Sequence, residues 1–266
     1  MINVLVTGAA GRMGKQIISL VLREEGIELV GATEIDGHPS IGKDVGEVIG
    51  TGKIGIVVSE NLDKAASRAD VVVDFSHPNA SLDAASYASS KGKPMVIGTT
   101  GFSPDERVRL EMLANRFACV ISPNMSIGVN VMFEITKRLA ELLGNEFDIE
   151  VIEAHHREKK DSPSGTAMRL GEIIAESTGR SFSKVARFER YGHVGERALN
   201  EIGIQAIRGG DIIGEHSVWF CGNGERVELT HRATNRDNFA RGAIRALRWI
   251  IGKPPGVYTM RNVLGL

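Results

Sequence analysis

Cysteine and aromatic residues are scarce in this chain, and its charges almost cancel. Its 266 residues include only two cysteines, Cys119 and Cys221, too few for a disulfide framework, so we expect buried free thiols. The 32 basic and 33 acidic residues give a formal net charge of −1, whereas nucleic-acid-binding domains are usually strongly basic. Aromatic residues make up 5 %, which disfavours base-stacking or sugar-stacking surfaces. No nucleic-acid partner is therefore expected.

Long apolar runs are also missing. No run approaches the roughly 20 residues that span a bilayer, so we expect no membrane partner. The first residues, MINVLVTG, have the composition of a strand and lack the features of a signal peptide, and we expect a cytoplasmic protein. Glycine, in contrast, is abundant, with 31 residues in the chain, well above the average of about 7 %. Such a composition is typical of a globular protein with many tight turns.

The first glycine cluster has the context of a dinucleotide-binding turn. Residues 2–6 (INVLV) are apolar at every position except Asn3, which predicts a buried strand, and this segment leads into GAAGRMG at residues 8–14. Apolar residues then recur at helical spacing. Strand, glycine turn and helix together let backbone N–H groups approach a pyrophosphate at the positive end of the helix. The sequence therefore predicts a nucleotide site in this turn.

Glu34 follows a second predicted strand, residues 27–32. It lies twenty residues after Gly14, about where a carboxylate accepts hydrogen bonds from the adenosine ribose. Ile35, and not an arginine, comes next, which makes NADH plausible. Arg12 and Lys15 could still bind a 2′-phosphate, so the residues leave both NADH and NADPH open.

Strands and helices continue to alternate through the first half of the chain. Predicted strands at residues 71–74, 95–97 and 119–121 are separated by helical segments, a pattern typical of a parallel sheet. Ligands bind beyond the carboxyl ends of such strands. The turns GTTG, at 98–101, and SPNM, at 122–125, lie at those ends and offer small polar groups.

A long polar segment in the second half of the chain is the candidate catalytic loop. It follows a predicted strand at 147–154, precedes a predicted helix at 167–177 and reads HHREKKDSPSGT from His155 to Thr166. Histidine and lysine are common general acids near neutral pH, and helix N-termini bind carboxylates. A solvated charged loop is the plainer alternative, but it does not explain a histidine pair beside SGT. The pair has no third ligand nearby, so no metal site is expected.

Beyond residue 179 the pattern changes to strands, at 202–207, 212–221 and 225–231, followed by a helix at 238–251. The predicted fold is α/β: a parallel-sheet domain followed by an α+β domain with a mixed, mainly antiparallel sheet. We expect residues 1–126 to bind the dinucleotide and residues 127–235 to bind substrate and mediate oligomerisation. Residues 236–266 are expected to pack back on the first domain.

With these residues in view, the chain strongly resembles the dihydrodipicolinate reductase family of the lysine and diaminopimelate pathway. The resemblance covers nearly the whole chain. Its most specific motif is EAHHREKKDSPSGTA, supported by VTGAAGRMG, VVDFSHP, VIGTTGF, SPNMSIGVNV, RGGDIIGEH, GERVELTHRATNR and YTMRNVL. It implies a Rossmann-type first domain and a homotetramer built through the sheet of the second. It also implies reduction of a cyclic dicarboxylate, 4-hydroxy-tetrahydrodipicolinate, to tetrahydrodipicolinate with NADH or NADPH.

The resemblance also implies roles for individual residues. His155 corresponds to the family's acid/base and Lys159 to its proton donor. The substrate carboxylate pocket corresponds to His156, Lys159, Ser164, Gly165 and Thr166. The cofactor contacts correspond to Gly8, Ala9, Ala10, Gly11, Arg12, Met13, Glu34, Gly98, Thr99, Thr100, Ser122, Pro123, Asn124 and Met125.

Two other functions are compatible with a dinucleotide-binding half. A related amino-acid or imine dehydrogenase would share the first domain but would have no reason to carry HHREKKDSPSGT. A non-catalytic nucleotide sensor would tolerate the loss of the histidines and lysines in that motif. The intact motif favours the reductase over both alternatives.

Overall fold

Two compact units make up the chain. The computed structural model describes residues 1–235 and 237–266, and contacts group Met1–Ile127 with Asp237–Leu266 in one unit and Gly128–Arg236 in the other. The expected C-terminal segment 236–266 begins at Arg236, which lies outside the described residues. In the part of the chain that is described, no helix is long and apolar enough to cross a membrane.

The first unit is built on a seven-stranded parallel sheet. Its strands are β1 (Ile2–Thr7), β2 (Ile27–Thr33), β3 (Val58–Ser59), β4 (Val71–Asp74), β5 (Met95–Ile97), β6 (Ala118–Ile121) and β12 (Gly256–Tyr258). They lie in the order β12-β6-β5-β4-β1-β2-β3. The chain therefore reverses direction across the sheet between β1 and β4, which is the position where doubly wound sheets bind dinucleotides.

Helices cover both faces of this sheet. They are α1 (Arg12–Val21), α2 (Val45–Ile49), α3 (Leu62–Ala65), α4 (Pro78–Lys91), α5 (Pro104–Leu113), α9 (Asp237–Ile250) and α10 (Met260–Leu264). Alternate residues of β1 enter separate cores: Val4 and Val6 pack in the core that contains α1 and α9, and Leu5 packs in the core that contains α4. This two-sided burial explains why residues 4–6 of β1 are all apolar.

The second unit contains a five-stranded mixed sheet. Its elements are α6 (Ile127–Leu143), β7 (Asp148–His155), α7 (Gly165–Ser177), α8 (Phe182–Val185), β8 (Ala186–Arg187), β9 (Ile202–Arg208), β10 (Gly214–Cys221) and β11 (Arg226–Ala233). The order is β11-β10-β7-β9-β8, with β10 antiparallel to β7 and β11, and β9 parallel to β7 and β8. The α/β fold with a parallel sheet and a mixed sheet is thus confirmed.

Alternation along β7 separates its side chains into two sets. Ile149 and Val151 are fully buried in a core that they share with α7, and Glu153, two residues further along, is fully buried as well. His155 ends the strand on the same face, because successive side chains of a strand point to opposite sides. This register brings a carboxylate and an imidazole together beside the N-terminus of α7.

Several boundaries differ from those predicted. Helix α7 begins at Gly165 and not at 167, because Ser164 caps it by accepting a hydrogen bond from the N–H of Ala167 at 3.2 Å. The short elements α2, β3 and β12 were not predicted, since a few residues carry no detectable period.

Cys119 is a buried free thiol as expected, whereas Cys221 is only half-buried, so its expected burial is wrong.

Candidate active site

The glycine turn after β1 is closely packed. Gly8 has a φ of +64°, and a Cβ atom on Gly14 would lie 2.1 Å from the carbonyl oxygen of Gly8, so a side chain at position 14 is excluded. Gly11 precedes α1 with no side-chain hydrogen bond capping the helix. Because the residue before α1 is a glycine, it has no side chain to accept from the first N–H groups of the helix, which suits an anion-binding helix N-terminus.

The other predicted cofactor-binding residues of this turn differ in exposure. Ala9 is buried and Met13 packs against the same core, so the groups that these residues offer a nucleotide are those of the backbone. Arg12 is exposed. The N–H of Ala10 donates a hydrogen bond of 2.7 Å to Oε1 of Glu34. That bond ties the acid after β2 to the glycine turn.

Glu34 lines a pocket of about 580 Å³ in the first unit. Gly8 and Ser76 also line this pocket, so it joins the glycine turn to the segment after β4. Three further acids, Asp36, Glu60 and Asp83, lie around it, and no lysine or arginine is found among the described residues of its wall. The pocket is therefore lined by negative charge where the adenosine ribose is expected.

A buried aspartate organises the carboxyl ends of β1, β4 and β5. Asp74 is fully buried and accepts hydrogen bonds from four hydroxyl groups: Thr7 at 2.5 Å, Ser76 at 2.5 Å, Thr99 at 2.7 Å, and Ser81. The N–H of Ser76 donates back to Oγ1 of Thr99 at 2.8 Å. The hydroxyl of Thr99 therefore bonds to Asp74 and Ser76 inside the first unit, and it holds the turn after β5 in position.

The other predicted cofactor turns are also well packed. A Cβ atom on Gly98 would lie 2.1 Å from the ring of Phe75, so a larger residue at this position would displace that ring. Thr100 is exposed. In the second turn, Oγ of Ser122 donates to the carbonyl of Asn124 at 2.8 Å, Met125 is buried, and Pro123 is exposed. These turns offer backbone groups at the carboxyl edge of the sheet.

In the second unit, His155 is paired with a buried carboxylate. Its Nδ1 lies 2.6 Å from Oε2 of Glu153, and 12 % of its side chain is exposed. Glu153 also accepts two hydrogen bonds from Arg208, both at 2.8 Å, and one from the N–H of Ser164 at 3.0 Å. Burial alone would raise the pKa of Glu153, but hydrogen bonds from His155, Arg208 and Ser164 outweigh it and lower this pKa to about 2.

The loop between β7 and α7 carries Lys159. Its Nζ lies 2.8 Å from Oδ1 of Asp161, a hydrogen bond that lowers the pKa of Asp161. The Lys159 side chain is 19 % exposed, whereas neighbouring Lys160 is exposed. Arg208 also donates to the carbonyl of Asp161 at 2.7 Å. The cation that pairs with Glu153 therefore also anchors the loop.

The N-terminus of α7 forms the remaining wall. Ser164 is buried, Gly165 is exposed, and Oγ of Ser164 lies 3.0 Å from Nε2 of His216. Thr166 is half-buried in the first turn of the helix. Burial lowers the pKa of His216 to about 3, so this ring is neutral near pH 7. An imidazole, a lysine and a helix N-terminus are thus grouped in this unit, as binding and protonating a carboxylate substrate requires.

His156 has a different environment from His155. It follows the end of β7 and lines a cleft of about 460 Å³ with Arg157, Glu158 and the turn at Gly210 and Asp211. Its backbone carbonyl accepts a hydrogen bond from the N–H of Lys159 at 3.1 Å. The two adjacent histidines therefore do not share one role.

Sequence reasoning missed four residues around His155: Glu153, Arg208, Gly214 and His216. Glu153 could have been found, because it lies two residues before His155 on one strand and must share its face. Arg208, 55 residues from Glu153, is brought to it by the register of β7 and β9. No sequence pattern specifies that register.

The fold and these residues define a class of protein. A dinucleotide-type parallel sheet with an uncapped glycine turn fits a nicotinamide cofactor, and the second unit supplies acid/base and anion-binding groups. Among the residues that the structure describes, there is no cluster of three or more metal-ligating side chains. This combination is that of a nicotinamide-dependent oxidoreductase acting on an anionic substrate.

Comparison with known proteins identifies the family. Residues 2–125 match the family described as "Dihydrodipicolinate reductase, N-terminus" and residues 128–264 match "Dihydrodipicolinate reductase, C-terminus". The chain therefore belongs to the dihydrodipicolinate reductase family, whose members are NAD(P)H-dependent oxidoreductases. It is 50 % identical over 266 residues to the 4-hydroxy-tetrahydrodipicolinate reductase of Citrifermentans bemidjiense, covering 100 % of both chains. It is 52 % identical to that of Anaeromyxobacter dehalogenans, covering 100 % of this chain and 98 % of the relative.

Solved structures agree with this assignment. The chain is similar to a dipicolinate-bound dihydrodipicolinate reductase from Paenisporosarcina sp. TG-14, with 27 % identity, a TM-score of 0.75 and 97 % coverage of both chains. It also shares its fold with GenD2 from gentamicin A biosynthesis, with 13 % identity and a TM-score of 0.61. The match covers 99 % of this chain and 90 % of GenD2. The family resemblance and the enzyme class expected from the sequence are thereby confirmed.

Proposed function

We propose that this chain reduces 4-hydroxy-tetrahydrodipicolinate to tetrahydrodipicolinate, with His155 and Lys159 handling protons. The observation that carries the proposal is the carboxylate of Glu153, which holds both the imidazole of His155, at 2.6 Å, and the N–H of Ser164, at 3.0 Å. An acid/base group and a helix N-terminus are therefore fixed to one point. A cyclic substrate with two carboxylates needs both, because its charge must be bound while its ring is protonated.

Each residue has a distinct task in this proposal. Lys159 and the first turn of α7, with Ser164, Gly165 and Thr166, bind one substrate carboxylate through charge and backbone N–H groups. His156 contributes to the same carboxylate pocket. The hydroxyl group of the substrate leaves as water, and the nicotinamide ring, when bound, supplies the hydride that reduces the resulting unsaturated ring. His155 and Lys159 hold the proton that the reduced ring must take up.

The nucleotide is assigned to the first unit. Residues 1–126 hold it through the turn from Gly8 to Met13, Glu34, and the turns at Gly98–Thr100 and Ser122–Met125. The support is the N-terminus of α1, which follows a glycine, and the pocket of about 580 Å³ beside Glu34. Residues 127–235 bind substrate, and the segment from 236 to 266 belongs with the nucleotide domain.

Assembly as a homotetramer through the mixed sheet is part of the proposal. The buried core of the second unit lies on one face of that sheet. On the other face, Ile152 and Trp219 are only half-buried and Ile207 is 51 % exposed. Analytical ultracentrifugation should give four times the chain mass of 28.7 kDa, and Ile207→Glu should lower the measured mass.

A cytoplasmic location completes the proposal, since both cysteines are free.

Variants of the loop test the catalytic assignment. His155→Ala and Lys159→Ala should each lower kcat by on the order of 10²-fold, because each removes a proton-transfer group. His156→Ala should mainly raise KM. Lys160→Ala is the matched control, since it removes the same charge from the adjacent exposed position, and it should behave as the parent enzyme. Near-normal turnover by both His155→Ala and Lys159→Ala would overturn the assignment.

A further inference from the structure

A buried carboxylate lies at the centre of the second unit's polar cluster. Glu153 is fully buried and has four donors around its two oxygens. Oε2 faces Nδ1 of His155 and one nitrogen of Arg208, while Oε1 faces the other nitrogen of Arg208 and the N–H of Ser164. Two of these donors are nitrogens of the Arg208 guanidinium, which cannot accept a hydrogen bond and therefore favour the ionised carboxylate. Glu153 is therefore ionised in the folded protein, in keeping with its lowered pKa.

The charge on Glu153 determines the tautomer of His155. An ionised carboxylate only accepts hydrogen bonds, so the proton of the Nδ1···Oε2 contact must reside on Nδ1. The other ring nitrogen, Nε2, is then the one that takes up or gives away a proton. This nitrogen lies over Gly214, where a Cβ atom would be only 3.0 Å away. A glycine at position 214 thus leaves room for the imidazole.

Arg208 keeps the carboxylate in place. Its two terminal nitrogens bind both oxygens of Glu153, and they also donate to the carbonyls of Ile207 and Asp161, each at 2.7 Å. This fork geometry fixes both the position and the rotation of the carboxylate. Because Asp161 lies in the loop that carries Lys159, one arginine orients both the His155 dyad and that loop.

We propose that Glu153, held by Arg208, is a positioning residue that fixes the tautomer and orientation of His155 for proton transfer at Nε2. This inference rests on the proposed role of His155. A buried ion pair can also be purely structural, because breaking one destabilises a protein whatever its function. The two roles differ in what they predict for the imidazole and for kcat.

Glu153→Gln is the first variant, since it keeps the shape and removes the charge. A carboxamide has one acceptor oxygen, so its NH₂ group faces one nitrogen of Arg208 in either orientation, together with either His155 or the N–H of Ser164. Facing His155, it would force the proton from Nδ1 to Nε2. We expect kcat to fall by on the order of 10²-fold or more while KM for the substrate changes less than about threefold.

Glu150→Gln is the matched control. Glu150 lies on the same strand three residues earlier, therefore on the opposite face, and it is also paired with arginines: Arg190 at 2.7 Å and Arg197 at 3.1 Å. The Glu150→Gln variant removes a carboxylate charge and an ion pair with arginine, as Glu153→Gln does, but the substituted residue does not contact His155. We expect parental kcat from this variant. An equal loss of kcat in both variants, or no loss in Glu153→Gln, would overturn the proposal.

Nitrogen-15 NMR of histidine-labelled wild-type protein reads the tautomer directly and needs no substrate. The chain has seven histidines, and the His155 signals are assigned by their loss in His155→Gln. We expect Nδ1 of neutral His155 to be protonated and Nε2 to be bare. The reverse tautomer would refute the inference even if the wild-type enzyme reduces the substrate, so this failure is distinguishable from that of the proposed function.

Discussion

The imidazole rings of His155 and His216 meet edge to face, with their centroids 5.2 Å apart and their planes at 73°. His216 is buried, and its Nε2 is hydrogen-bonded to Ser164, the residue that caps α7. Burial and the nearby His155 both disfavour a charge on His216. The candidate acid/base therefore packs edge to face against a neutral ring.

The buried His216 should make the protein sensitive to acid. Its pKa falls from 6.5 to about 3 on folding, so below pH 6.5 the unfolded chain binds a proton that the native protein does not. The resulting stability is complete above pH 6.5 and is lost as the pH falls towards 3, by about 1.4 kcal/mol per pH unit. Between pH 7.5 and 5.5, the unfolding free energy should fall by about 1.4 kcal/mol more in the parent than in His216→Gln.

Urea unfolding followed by the fluorescence of Trp219 measures this difference. Trp219 lies in the second unit, and a Trp249→Phe background removes the signal from the first. His193→Gln is the control, because His193 is exposed and its loss should leave the pH dependence unchanged. Identical pH slopes for His216→Gln and the parent would show that His216 does not carry the effect.

The space over Gly214 should be needed for activity. In Gly214→Ala the new methyl group would lie 3.0 Å from Nε2 of His155, so the ring must shift from its position against Glu153. We expect kcat to fall by on the order of 10-fold, because displaced catalytic groups lose much of their effect. Gly209→Ala, where a Cβ meets nothing within 4 Å, should keep parental turnover. Equal kcat in the two variants would contradict the crowding argument.

The acidic pocket beside Glu34 should favour NADH over NADPH. Glu34, Asp36, Glu60 and Asp83 surround the position expected for the ribose, and a 2′-phosphate there would meet like charge. We expect NADH to bind at least about tenfold more tightly, which corresponds to about 1.4 kcal/mol. Fluorescence titration of the free enzyme with each cofactor measures the ratio.

A substitution at Ile35 should shift this preference. Ile35 lines the pocket and is 59 % exposed, so Ile35→Arg can bring a cation towards the phosphate and should tighten NADPH binding several-fold. Val57→Arg places the same charge at another exposed position outside this pocket and should leave the ratio unchanged. Tighter binding of NADPH than NADH by the parent would refute the electrostatic account.

Thr99 should contribute to stability through its hydroxyl. Thr99→Val removes one of the four hydroxyl donors to buried Asp74 and leaves the N–H of Ser76 without its acceptor. We expect a loss of about 1–3 kcal/mol in unfolding free energy, followed by Trp249 fluorescence. Thr100→Val, at the adjacent exposed position, should change stability by less than about 0.5 kcal/mol. A loss of equal size in both variants would argue against the Asp74 cluster.

The sequence was informative where structure is local. β1, the glycine turn and α1 were predicted because a buried parallel strand is continuously apolar and a helix has its own period. The polar segment from His155 to Thr166 was found for a similar reason, as a run without apolar residues. Short elements such as Val45–Ile49 escaped prediction, because five residues are too few for a period to emerge.

Long-range pairing could not be predicted. Arg208 pairs with Glu153 because β9 is in parallel register with β7, which places Arg208 beside His155. Likewise, Asp74 accepts hydrogen bonds from the hydroxyl groups of Thr7 and Thr99, which are far apart in the sequence. These residues meet only because β1, β4 and β5 are neighbours in the sheet. These contacts depend on tertiary register, and no single segment specifies it.

The most direct test follows absorbance at 340 nm while enzymatically generated 4-hydroxy-tetrahydrodipicolinate is added to the wild-type chain with NADH, and then with NADPH. The account predicts rapid cofactor oxidation, faster with NADH at low cofactor concentration. Folded protein that binds NADH but oxidises neither cofactor would contradict it. That result would favour a different substrate or a nucleotide sensor.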